Sequence, residues 1–177
     1  MPIVLENMKI HHRSNEIRKL MQPLSRNGNS VSSKVGTSPR GFIVFGAFGG
    51  SNPHSTNHKD WFFKTQKTGY NASYFEVWKD NGSNFTLEKA YFKLMLNKDN
   101  VNQELLSLHI DPLENECRYK QGPHLHIKTN NNLISKAHIS LNLSDLSEVV
   151  NSFDKFKTAY KGALLMINEE IITKPSW

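Results

Sequence analysis

Three short runs between Glu104 and Asn142 alternate apolar with polar residues, and each carries histidine on its polar side. In 104–111, Leu106, Leu108 and Ile110 oppose Leu105, Ser107, His109 and Asp111. In 123–128, Leu125 and Ile127 oppose His124, His126 and Lys128. In 136–142, Ala137, Ile139 and Leu141 oppose Lys136, His138, Ser140 and Asn142. Side chains at i and i+2 share a face of a strand, so this period predicts half-buried antiparallel strands. The polar stretch 129–135 reads as a hairpin loop. Symmetric closure of that hairpin sets His126 opposite His138, and a slip of one residue would reverse the faces. The join from the first run to the second is longer and holds Pro112, Gly122 and Pro123, so the pattern leaves the register of His109 open.

The same period recurs upstream. Residues 41–45 read as a buried strand that runs into a glycine-rich stretch, 46–52. A turn or bulge is predicted there, because the Lys-Ser/Thr of a phosphate-binding loop does not follow. Residues 61–63 begin another strand. In 73–79, Tyr74, Glu76 and Trp78 share one face, with Phe75 and Val77 on the other. Asn81-Gly82 signals a hairpin, with 85–96 as the return strand.

A helical period appears at both ends. Residues 1–10 read as a short edge strand, and Ser14 caps a helix through Leu24, with Ile17, Leu20, Met21 and Leu24 as its apolar stripe. Arg13, Arg18 and Lys19 fall outside that stripe. Residues 25–40 are a linker by composition. Ser144 caps a long C-terminal helix whose stripe runs from Leu146 through Phe153, Phe156 and Tyr160 to Leu165, with a kink or end at Gly162.

The predicted fold is α+β, an antiparallel meander-like sheet of about six or seven strands with the C-terminal helix packed on one face. The helix is expected on the side of Leu125, Ile127, Ile139 and Leu141, which leaves the histidines facing outward. Residues 1–40 form a basic N-terminal segment with a short helix and flexible linker, and 41–177 a single domain.

Composition narrows the setting. A hydrophobic fraction of 37% suffices for one core. The one cysteine, Cys117, excludes an internal disulfide framework. No run approaches the roughly 20 apolar residues of a membrane span, and the start lacks a signal-peptide pattern. A cytoplasmic protein with no membrane partner is expected. The net charge is +6. Residues 1–60 hold eight basic side chains (Lys9, Arg13, Arg18, Lys19, Arg26, Lys34, Arg40, Lys59) against Glu6, Glu16 and Asp60. The first third therefore carries most of the excess and predicts an arm for an anionic partner, with RNA or DNA first.

Three chemical readings fit the histidines. His124 and His126 on one strand, with His138 on its neighbour, can present three imidazoles to zinc and leave a fourth position for a reactive water. Without a cofactor, His126 and His138 can act as an acid–base pair on a phosphodiester, assisted by His124 and His109. Lys128, Lys136, Arg118 and Lys120 would then neutralise phosphate, beside Ser140. In the third reading the rings are inert on a solvated face. His54 and His58 are a weaker ligand pair, and Tyr74, Trp78, Tyr91, Lys89 and Lys93 a stacking platform if exposed.

The fragment His138-Ile-Ser-Leu resembles half of the His-x-Ser/Thr-x signature of two-histidine phosphoesterases. His124-Leu-His-Ile lacks the required Ser/Thr and lies too close to be the other half, so no residue role is carried over. The sequence thus supports a small basic protein that binds or cleaves nucleic acid as a histidine-based nuclease. The alternative is a non-catalytic subunit bound to a partner protein.

Overall fold

A computed structural model of the chain describes residues 2–26, 32–38, 41–49, 61–115, 117–128, 136–141 and 146–174. Within these, the side chains of Met8, Ser32, Ser33, Lys34, Thr37, Ser38, Arg118, Lys136, Leu146 and Ser147 are outside the description. The expected caps and ligands Ser144, His54 and His58, and the loop 129–135, also lie outside it.

The fold is α+β. Among the described residues nine strands form one antiparallel sheet: β1 (Val4–Glu6), β2 (Ser32–Ser38), β3 (Phe42–Phe48), β4 (Phe63–Lys64), β5 (Tyr70–Asp80), β6 (Asn84–Lys98), β7 (Val101–Ile110), β8 (His124–Lys128) and β9 (Lys136–Ser140). Their order is β2-β3-β5-β6-β7-β8-β9, with β1 added to β6 and β4 to β5. Local hairpins make this order. Gly82, at φ 85°, turns β5 into β6, and Asp99 and Asn100, at φ 52° and 63°, close the two-residue turn from β6 to β7. Two successive positive φ values suit the right-handed twist of the strands they join.

One face of the sheet carries the helices α1 (Asn7–Met21) and α3 (Phe153–Ile167), with the shorter α2 (Leu146–Asn151) before α3. Ile10, Ile17 and Met21 of α1, and Phe156, Tyr160, Leu164 and Ile167 of α3, are buried with Tyr74, Trp78, Phe92, Leu94 and Leu108 of the sheet. Tyr160 also donates a hydrogen bond to the Leu108 carbonyl at 3.0 Å.

Several expectations are corrected. Part of the predicted linker, 32–38, is strand β2, paired residue by residue with β3. Helix α1 begins at Asn7 rather than Ser14. Its buried stripe then includes Arg13, which is one turn before Ile17 and only 3% exposed. The C-terminal helix breaks at Ser152, not Gly162. Ser152 is extended, and its side chain caps α3 by accepting from the Lys155 N–H. The proposed stacking platform is divided between faces, with Tyr74 and Trp78 fully buried beneath the helices and Tyr91 on the opposite side. The β-bulge at Val77/Trp78 interrupts the pairing of β5 with β6.

The glycine-rich stretch has a packing role. Gly46 lies within β3, and a Cβ there would come 2.4 Å from the Trp61 ring and 2.9 Å from the Tyr74 carbonyl. Its missing side chain lets the indole lie against the strand.

Candidate functional site

Strands β7, β8 and β9 bring the histidines together on the face away from the helices. The hairpin closes in the predicted register, with His126 opposite His138 and His124 opposite Ser140. The longer connection sets His109 opposite His124, which the pattern alone had left open. Cross-strand side chains then come into contact. The His109 and His126 ring centroids are 4.0 Å apart, those of His126 and His138 3.9 Å, and those of His124 and His126 5.0 Å.

The rings differ in burial. His138 is exposed, His109 and His126 are half-buried, and His124 is fully buried rather than outward-facing. Described residues of the preceding connection, Asp111, Leu113, Glu114 and Lys120, line the same cleft as it does. Glu114 donates its backbone N–H to Asp111, and Asp111 donates to the Lys120 carbonyl at 3.1 Å. His124 Nδ1 lies 2.9 Å from the Gly122 carbonyl. A carbonyl only accepts, so Nδ1 carries the proton and Nε2 presents a lone pair.

Three atoms single the cluster out. The buried Nε2 atoms of His109, His124 and His126 have no hydrogen-bond partner. These rings offer ligand atoms that all lie within 4.8 Å of one another. The trio shares His124 and His126 with the expected set and has His109 in the place of His138, because the register brings His109 across the sheet from His124. Burial holds all three imidazoles in the neutral, ligating form. It pulls His109 down to about 3 and His126 to about 4, with neighbouring histidines adding to the effect, and it lowers His124 as well.

Asp111 and Tyr91 complete the setting, and the sequence reading gave neither a place in it. Asp111 Oδ2 stands 3.9 Å from His124 Nε2, and Oδ1 accepts the Tyr91 hydroxyl at 2.8 Å. Burial raises the Asp111 carboxyl, and burial together with Asp111 raises the Tyr91 phenol. The signal for Asp111 was its place two residues after His109 on the same alternating face. An open cleft of about 500 Å³ is lined by Tyr91, Asp111, Glu114, Lys120 and all four histidines, with Glu88 and Leu113.

The expected phosphate-binding residues separate. Lys120 lines the cleft. Lys128 instead lies 3.7 Å from Glu104, which Lys93 also pairs at 3.2 Å. Ser140 has a buried hydroxyl oxygen without a partner, opposite His124. The Arg118 and Lys136 side chains lie outside the described residues.

The apolar side of β8 and β9 is covered only in part. Leu125 and Leu141 reach the core, but Ile139 is 45% exposed because α3 lies over strands nearer the middle of the sheet. A second groove, of about 360 Å³ between α1 and α3, is lined by Lys19, Lys157 and Lys161 with Arg13 and Glu16. Arg13 and Lys157 are already paired with carboxylates there. No helix among the described residues is long and apolar enough to cross a membrane.

Comparison with protein-family models, with curated proteins and with solved structures finds no match for the chain.

Proposed function

We propose that His109, His124 and His126 hold a divalent transition metal, zinc by ligand chemistry, and that the protein is a metal-dependent phosphodiesterase acting on nucleic acid. One observation carries the reading: three buried, unpartnered Nε2 atoms on rings whose ligand atoms converge within 4.8 Å. A buried polar atom without a partner costs about 1–3 kcal/mol, so three in one place are hard to sustain as packing alone. Tetrahedral zinc at its usual bond length would draw the three nitrogens in from their present spacing, all within 4.8 Å, to about 3.4 Å. The Gly122 carbonyl on His124 Nδ1 is the outer hydrogen bond that orients a ligating imidazole.

Bound there, zinc would supply a hydroxide from water near neutral pH. The chain's own groups do the rest. Asp111, whose Oδ1 accepts the Tyr91 hydroxyl, keeps Oδ2 3.9 Å from His124 Nε2, where it would orient that water and accept its proton. Lys120 stands at the cleft to offset phosphate charge. At such a site the hydroxide would form the new P–O bond as the ester P–O bond opposite it breaks, and the displaced oxygen would take the bonding pair and the proton given up by the water. The excess of basic side chains favours a polyanionic substrate.

Chelator-stripped protein reloaded with zinc should retain about one ion per chain by elemental analysis. His124→Ala and His126→Ala should each lower zinc affinity roughly 100-fold or more while leaving the circular dichroism unchanged. Loaded protein should cleave bis(p-nitrophenyl) phosphate, and a chelator should stop it. A chain that retains no zinc would overturn the site, and a zinc-bound chain inert toward the ester would overturn the hydrolytic role.

A further inference from the structure

The rings of Tyr91, His109, His126 and His138 form a continuous row across β6, β7, β8 and β9. Successive centroids are 4.0, 4.0 and 3.9 Å apart, and the planes are inclined by 37°, 32° and 30°. This is a tilted stack, closer to parallel than the edge-to-face contact common among core rings. Its inner end is closed by Phe75, whose ring meets Tyr91 at 84°. Its outer end is His138, an exposed ring on the last strand of the sheet. Among the described residues the ring contacts of His138 are with His126 and His124, both on β8. The outer face of His138 therefore continues the row with no ring of the described chain upon it.

We propose that this outer rung stacks one unpaired base of a single-stranded nucleic acid, and so selects the substrate of the cleft. Every base has a flat π-face, so the next member of a ladder spaced near 4 Å can be a base of any identity. A base in a duplex is already sandwiched by its neighbours, which is why such platforms discriminate for single strands. His124 lies 6.2 Å from His138, so a base seated there carries its phosphate to the mouth of the histidine cleft, where Lys120 also stands. The inference names the substrate of the site proposed above. It rests on that reading for cleavage, not for stacking.

The test uses the full chain, zinc-free and zinc-loaded, with an oligoadenylate of about ten nucleotides carrying one 2-aminopurine. An abasic counterpart and the matching duplex serve as controls. Binding should quench the 2-aminopurine fluorescence, and the single strand should bind more tightly than either control. His138→Ala should weaken binding roughly 10- to 100-fold, and His138→Trp should restore or tighten it, since an indole stacks without offering an imidazole nitrogen. Equal affinity of wild type and His138→Ala would overturn the proposal, as would equal weakness of both variants or equal binding of the abasic strand. Zinc content separates the two claims. Quenching by a chain that holds no zinc leaves the stacking rung and removes the metal centre. Zinc retention without quenching does the reverse.

Discussion

A carboxylate with no exposure survives in a core only when its lone pairs are met, and Glu76 meets that condition. Arg13 donates to both of its oxygens, Tyr74 to one and Trp78 to the other at 2.9 Å. Burial pushes the Glu76 carboxyl up, but the Arg13 charge and these donors reverse the effect and hold it below its ordinary value. Glu16 completes the guanidinium at 2.7 Å and reaches Lys157 of α3, so the cluster joins both helices to β5. Arg13→Met should therefore lower stability by about 3–5 kcal/mol in chemical denaturation, because it strands a buried charge. Adding Glu76→Met should recover much of that loss, since the desolvation cost disappears with the pair. A double variant no more stable than the single would refute this account. As a basic side chain outside the apolar stripe, Arg13 looked available to an anionic partner. Its true role depends on Glu76, 63 positions away, which no local pattern connects to it.

At the scale of elements, two glycines make opposite predictions. Gly46→Ala drives a Cβ into the Trp61 ring and the Tyr74 carbonyl, so strand β3 or the indole must move. The expected loss is about 1–3 kcal/mol. Gly162 sits inside α3 with nothing within 4 Å of where its Cβ would be, so Gly162→Ala should gain about 0.5–1 kcal/mol. Thermal midpoints of the two variants check both signs, and a stabilised Gly46→Ala would remove the packing role assigned to Trp61. Hairpins and amphipathic stripes were legible because they are local: Asn81-Gly82 turned as read, and the alternation around His126 set its register with His138. The strand within the supposed linker was not legible, since β2 is rich in serine and glycine and gains its order from pairing with β3.

For the whole molecule, the buried histidines make stability depend on pH. The ordinary histidine value is 6.5, whereas His109 and His126 are held at about 3 and about 4. Between those limits the unfolded chain binds protons that the folded chain refuses. The sign follows: the stability of the metal-free protein is intact above 6.5 and declines as the pH falls toward the folded values. The lowered carboxyls of Glu76 and Glu104 add their own loss only below their ordinary value of 4.5. The thermal midpoint should thus fall from about pH 7 to pH 5, and His126→Gln should flatten the slope. A midpoint indifferent to pH in that range would mean the rings are not held neutral. The chain by itself determined the α+β class, the meander of hairpins and the shared face of His124, His126 and His138, because each follows from side-chain period and turn chemistry between near neighbours. Tertiary structure alone decided that His109 converges with His124 and His126, that His124 is fully buried, and that Asp111 and Tyr91 stand beside it. Those outcomes depend on the path of a long connection and on pairing across the sheet, and spacing along the sequence encodes neither.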